Sequence, residues 1–306
     1  MSHPRHRQAD VVLRDGSTLH VRPVRATDAT AVRAFLERLS PESIGLRFFS
    51  SFPDLDRAVS WATEADPHPE FDLTVLGGFR LRSGTGDVGV PRGSQRLLAF
   101  LVLRGGMVKR AAVAGALWPE AAERHAYSNL RAAIARLNGT GRKAVAASKL
   151  ELGLAEGVTV DFHHAQPLAR RLLDPAATPA PSDLSLAAVA ALSADLLPDW
   201  YDDWVLAEAE DWRQLRLHGL EVLARHLTNA GRWGEAAGAA RAAVRAEPLR
   251  ESGHAALIQV HLAEGNQSEA VWEFARYRTL LRAELGLEPT PRLSELVRDL
   301  RSSIPA

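Results

Sequence analysis

The sequence predicts a mainly α protein with small β-sheets: a winged helix, then a tetratricopeptide-like all-helical domain, preceded by a short α/β segment. Three features lead there. Short β-like pieces and three closely spaced helical patterns occupy residues 71–160 and end in a basic hairpin. From Asp183 onward only helical patterning occurs. Within that half, Gly231-x3-Glu235-Ala236 recurs as Gly265-x3-Glu269-Ala270, an offset of 34 residues, which is the tetratricopeptide period. Pro248 lies where such a repeat places its helix-breaking proline, and the second copy has Arg282 there. The expected divisions are 1–66, 67–162 and 163–306.

The chain is long enough for two domains or one large one, and 46% hydrophobic residues can build real cores. With no cysteine there is no disulfide, no thiolate metal site and no cysteine nucleophile, which fits a cytoplasmic protein. The first ten residues, MSHPRHRQAD, lack the apolar segment of a secretory signal. No apolar run approaches the roughly 20 residues that span a bilayer. Net charge is zero overall but uneven. Residues 67–162 carry 13 Lys/Arg against 8 Asp/Glu, and residues 163–306 carry 15 against 20. A basic middle beside an acidic C-terminal half suggests one part that binds a polyanion and one that faces proteins.

Taken in order, Val11–Leu13 and Thr18–Val21 around Asp15-Gly16 read as a hairpin. Thr27 or Asp28 can cap a helix over Ala29–Leu39, and Ser40-Pro41 can stop it and start another. Residues 65–69 are a linker. Phe71–Leu76 and Phe79–Arg82 read as two short strands. Gly84-Thr-Gly86-Asp-Val-Gly89 matches GxGxxG, but Val-Pro follows where a dinucleotide site needs a helix, so the segment reads as a hairpin turn. Helices are expected at Ser94–Arg104, Lys109–Leu117 and Arg124–Asn138, then strands near Ala144–Ala146 and Leu150–Leu154. Residues 174–182 are Pro/Ala-rich and read as a loop. Leu184–Leu197 reads as one helix and about 205–229 as the next.

Residues 124–149 hold six Lys/Arg and no Asp or Glu. Ala126, Leu130, Ala133, Ile134 and Leu137 form one apolar stripe of a helix. The opposite side carries Arg124, Ser128, Arg131, Ala132 and Ala135, flanked by His125, Asn129 and Arg136. Cations, small hydrogen-bonding groups and alanines that allow close approach suit a helix lying in a DNA major groove. Arg124 and Arg131 are spaced for base-edge or phosphate contact, and Ser128 and Asn129 can reach bases or phosphate. Arg136, Arg142, Lys143 and Lys149 suit phosphates. A solvated basic helix would show the same charge run.

Enzyme signatures are absent: there is no GxSxG, HExxH or GxxxxGK(S/T). His163-His164 are adjacent and diverge in helix or strand, so a shared metal is not expected. Asp199, Asp202 and Asp203 read as caps of the following helix rather than cation ligands. Trp200, Trp204 and Trp212 read as packing residues. No metal and no cofactor is expected.

The ordered set LGGFRL, VPRGSQRLLAFL, GALWPE, NLRAAIARL and VTVDFHHA resembles the DNA-binding half of the SARP family, actinobacterial antibiotic regulatory proteins that activate transcription through a response-regulator-type winged helix. LLPDWYDDWV, the pair GRWGEA and GNQSEA, EPLRE and LRAELGLEPTPRL resemble the bacterial transcriptional activator domain that follows it. The two halves cover about 71–303. The family commonly continues its third helix with Arg, where this chain has Asn138-Gly139 and so a shorter basic end. The resemblance implies a non-enzymatic activator that binds double-stranded DNA at direct repeats and contacts RNA polymerase through the 118–123 loop, with Trp118, Glu120 and Glu123 the contact residues. The helical half is expected to mediate self-association or effector coupling. The alternative is an interaction scaffold whose winged helix no longer reads DNA.

A further string, LRDGSTLHVRPVRATDATAVRAFLERLSPESIGLRFFSSF, resembles the opening of bacterial GNAT acetyltransferases over about 40 residues. The (Q/R)xxGx(G/A) cradle for the acetyl-CoA pyrophosphate does not follow it. Arg250–Ala255 matches those letters but lies in a helical region with no strand before it. The segment therefore reads as a truncated, inactive remnant.

Overall fold

The computed structural model describes residues 9–12, 17–22, 28–39, 71–84, 86–137 and 139–298. The chain divides into two compact units, residues 1–68 and 69–306. In the first, strands β1 (Ala9–Val12) and β2 (Thr18–Val21) pair antiparallel, Ala9 opposite Val21, and helix α1 spans Ala29–Glu37. Asp28 stands at the cap position of α1, as expected, yet makes no hydrogen bond to the helix's first amides. Its carboxylate is instead held in bidentate fashion by the Arg22 guanidinium at 2.7 and 2.9 Å, a stronger charge-assisted partner. The Asp15-Gly16 turn, Thr27, the Ser40-Pro41 boundary and the rest of the acetyltransferase-like string lie outside the described residues.

The second unit begins with β3 (Phe71–Thr74), β4 (Arg80–Ser83) and β5 (Gly86–Asp87), a meander whose β4–β5 turn uses the GxGxxG letters. Helices α2 (Arg92–Arg104), α3 (Arg110–Leu117) and α4 (Glu123–Arg136) follow, with β6 (Val108–Lys109) before α3. The wing is β7 (Val145–Ala147) paired antiparallel with β8 (Glu151–Leu154), and β6 adds to the other side of β8. Strand β9 (Val158–Val160) then runs parallel to β3 and completes the order β5-β4-β3-β9. The three helices close on Leu97, Leu98, Leu101, Val113, Leu117, Leu130 and Leu137, all buried. This is the winged helix that the sequence predicts.

Gly153 sits where β8 crosses the turn before β6. An added Cβ would lie 2.8 Å from the Gly106 carbonyl oxygen and 2.7 Å from Met107 Sδ. The thioether can swing aside, but the backbone carbonyl cannot. Gly153→Ala is therefore expected to cost about 1–3 kcal/mol through forced displacement of the wing, read as a lower midpoint in a thermal melt.

Strand β9 passes without a break into α5 (Asp161–Leu173). The Asp161 carboxylate accepts from the Val75 and Leu76 amides at 3.0 Å and from the Phe162 amide at 2.7 Å. Burial pushes this carboxyl above the usual carboxylate value, against the opposing pull of those amides. Helix α6 (Leu186–Ser193) is shorter than the sequence predicts. Ser185 caps it, accepting from the Ala188 amide at 3.2 Å, and the chain turns extended after Ser193. There the Gly77 amide donates to the Asp195 carbonyl at 2.7 Å and the Leu197 amide to Val75 at 2.9 Å. Pairing with the end of β3 overrides helical propensity at Ala194–Leu197.

The helical half continues with α7 (Asp203–Asn229), roughly 40 Å long, then α8 (Trp233–Ala246), α9 (Glu251–Glu264), α10 (Gln267–Leu285) and α11 (Pro291–Leu296). The 34-residue repeat is structural. Gly231 and Gly265 both take left-handed backbone, φ +70 and +88. The next residues, Arg232 and Asn266, share nearly identical angles, −92/58 and −85/65, before α8 and α10 start. One buried core runs from Phe71 through the winged helix and α5 to Val260, and a second gathers Ile258, Phe274, Tyr277, Leu281 and Leu293. Trp200 and Trp212 are buried and Trp204 partly so, as expected. Asp202 is a correction: its carboxylate accepts from Arg96 of α2, Nε at 3.0 Å, rather than capping α7.

Beside the second core lies a buried polar cluster. His254 is fully buried and Glu273 is 2% exposed. His254 Nδ1 is 2.6 Å from Glu273 Oε1, and its Nε2 is 2.8 Å from the Pro248 carbonyl. Arg276 donates to both Glu273 oxygens at 2.8 and 3.0 Å, and the Tyr277 ring lies 4.2 Å from the imidazole. Both ring nitrogens thus face oxygen atoms, one of a carboxylate and one of a backbone carbonyl.

Candidate nucleic-acid interface

Helix α4 is fixed from behind. Ala126, Leu130, Ala133 and Leu137 are buried, and the buried Ser94 hydroxyl of α2 donates to the Ala133 carbonyl at 2.7 Å. Four buried residues over about three turns and one hydrogen bond from the neighbouring helix set its rotation about its own axis. The opposite face is open: Arg124, His125, Ser128, Asn129, Arg131, Ala135 and Arg136 are exposed and Ala132 is half-buried. Arg124, Arg131 and Arg136 have no ion pair or hydrogen bond among the described residues. Fourteen residues give the helix roughly 21 Å of length, enough to follow a major groove through several base pairs.

The wing is held by its own turn. Ser148 Oγ accepts from the Glu151 and Leu150 amides at 2.9 and 3.2 Å, leaving Lys149 and Leu150 exposed at the tip. Arg110, at the start of α3, donates Nε and Nη2 to the Ser148 carbonyl at 3.1 and 2.9 Å. Arg142 gives one Nη to the Val145 carbonyl at 2.8 Å, and Lys143 is exposed on the preceding 3-10 turn, Gly141–Ala144. Between α4 and the base of the wing is a depression of about 410 Å³ lined by Arg110, Arg131, Ile134, Ala135, Gly139 and Arg142. Three guanidiniums from three elements thus converge where a backbone phosphate could sit. Sequence reasoning placed Arg131 and Arg142 here but missed Arg110. The Lys109-Arg110 pair was its signal, hidden because it opens a helix expected only to pack.

The 118–123 loop differs from expectation in two ways. Glu123 is not in the loop but is the first residue of α4, where its carboxylate complements the helix dipole. Trp118 is half-buried against the core, so only part of the indole is presented, while Glu120 is exposed. His163 and His164 are both exposed on α5, and His163 Nε2 lies 2.9 Å from the Val102 carbonyl.

Residues 160–301 match the model of the bacterial transcriptional activator domain. Among solved structures, the chain is similar in fold to Mycobacterium tuberculosis EmbR, described in complex with a low affinity phosphopeptide. The TM-score is 0.52 and the identity 22% over 78% of this chain and 66% of that one, so the chain spans about two thirds of that protein's length. No curated protein matches the chain in sequence.

Proposed function

We propose that the chain is a DNA-binding transcriptional regulator of SARP type, acting in the cytoplasm as an activator. The observation that carries this reading is the solvent face of α4, where Arg124, Ser128, Asn129 and Arg131 stand unburied beside the Arg110–Arg131–Arg142 depression. Helix α4 enters the major groove with Arg124, Ser128 and Asn129 toward base edges, and with Arg131 beside Arg110 and Arg142, where a phosphate can sit. Arg136, Arg142, Lys143 and Lys149 hold phosphates and set register. The 118–123 loop, with Glu120 exposed and Trp118 and Glu123 beside it, offers RNA polymerase an acidic and aromatic contact. No catalytic residue is assigned. The match of residues 160–301 to an activator domain supports the same reading.

The test is binding of the full chain to duplex DNA from upstream of its own coding region, across a salt series. About six neutralised phosphates give a slope of log K against log salt near −5. Binding that is weak and flat with salt would leave an interaction scaffold in place of a DNA reader.

A further inference from the structure

The groove between α8, α9 and α10 plays no part in reading DNA. It has a volume of about 500 Å³. Arg241 and Arg245, one turn apart on α8, line it, and neither has an ion pair or hydrogen bond among the described residues. Val244 and Trp272 supply apolar wall; Trp272 is 60% exposed, with the Arg276 guanidinium 5.7 Å from its ring. Glu273 in the groove floor is already matched by His254 and Arg276, which leaves Glu269 as the unmatched acid against two unmatched arginines. The groove is therefore a cationic slot with an aromatic plate.

The complementary feature is on the same chain. Tyr201 is 80% exposed, the most exposed large hydrophobic side chain among the described residues. Asp199 and Asp203 flank it, both exposed and without an ion pair among the described residues. The loop is rigidly presented, because Trp200 beneath it is buried under the Arg92 guanidinium at 4.0 Å and Asp202 is tied to Arg96. Two acids around an aromatic ring match two arginines beside one. We infer that the Asp199–Asp203 loop of one copy docks into the Arg241–Arg245–Trp272 groove of a second copy. Tyr201 packs on Trp272, as aromatic pairs do at 4.5–7 Å between centroids, and the carboxylates meet the guanidiniums at the rim. Exposed ion pairs contribute little individually, so the affinity is on the order of micromolar. Loop and groove are different surfaces, so the contact is heterologous, running head to tail.

The test is sedimentation of the full chain from roughly micromolar to a hundred micromolar, around that affinity, with two variants. Arg241→Glu/Arg245→Glu spoils the groove, and Asp199→Lys/Tyr201→Ala/Asp203→Lys spoils the loop. The wild type is expected to associate, less so in high salt. Each variant alone associates at least about tenfold more weakly. An equimolar mixture of the two regains a dimer that grows no further, because one intact groove meets one intact loop. All five positions are exposed, so circular dichroism stays at wild-type values, and the melting midpoint falls only by the few degrees that a lysine at the first residue of α7 costs against the helix dipole. A monomeric wild type, association that survives both variants, or a mixture that stays monomeric would overturn the assignment, as would a groove filled only by an acidic peptide from another protein. Neither variant touches α4 or the wing, so affinity for a single DNA site reports separately on the DNA reading.

Discussion

Replacing Arg124 and Arg131 together with alanine is expected to lower affinity for the proposed DNA site about a hundredfold or more. Each arginine that forks onto guanine O6 and N7 is worth about 1–3 kcal/mol of discrimination, and each 1.4 kcal/mol is tenfold in affinity. Both side chains are exposed on α4 and unpaired among the described residues, so their loss is expected to leave the fold intact and the melting midpoint unchanged. The salt dependence separates the two roles open to them. A phosphate clamp, when removed, weakens binding to every sequence and flattens the slope by about one per residue. A base reader, when removed, erases preference for the cognate site and leaves the slope nearly as it was. The convergence of Arg131 with Arg110 and Arg142 favours phosphate for Arg131, whereas Arg124, alone near the start of the helix, is placed for a base edge. A double variant that keeps wild-type affinity and specificity would remove α4 from the interface.

Glu273→Ala is expected to destabilise the 69–306 unit by about 3–5 kcal/mol, because it removes the carboxylate against the buried His254 ring and frees Arg276. At about 2–4 °C per kcal/mol for a unit of this size, the melting midpoint falls by roughly 10 °C. Glu273→Gln keeps the shape and loses only the charge, and is expected to cost less. The pH dependence has a definite sign. Burial pushes the Glu273 carboxyl up, but the hydrogen bonds from His254 and Arg276 outweigh it and hold the group below its ordinary value of 4.5. A carboxyl depressed in the folded state contributes stability that is complete above about pH 4.5 and disappears as pH falls through the folded value. Melts of the wild type and Glu273→Gln should therefore converge on acidification from pH 7 toward 3. No gap at pH 7 would show that Glu273 acts by packing alone, and a gap that fails to narrow on acidification would remove the carboxylate charge as its source.

The parts legible in the sequence were those whose signal is local. Leu130, Ala133 and Leu137 fix the buried side of α4 by spacing, and the same spacing tells which residues face out. Gly231 and Gly265 announce a repeat because both connections need left-handed backbone that glycine adopts without strain. The parts that were not legible depend on partners far away in the chain. Ala194–Leu197 has helical composition but pairs with residues about 120 positions earlier. Asp202 looks like a cap until Arg96 comes within reach. His254 and Glu273 are 19 residues apart on two helices, and no periodicity marks a polar pair that packing alone buries. Arg110 joins the depression only because the wing folds back over α3.

The last strand of the winged-helix sheet, β9, lies beside the first, β3, and is drawn from the stretch where the matched activator domain begins. A chain emerging from the ribosome therefore carries all three helices and both strands of the wing before it can close that sheet. Until Val158–Asp161 is out, the Val75 and Leu76 amides lack their carboxylate and β3 has one bare edge. A product terminated early in translation would keep the basic helix yet expose that edge, and would be a substrate for proteases.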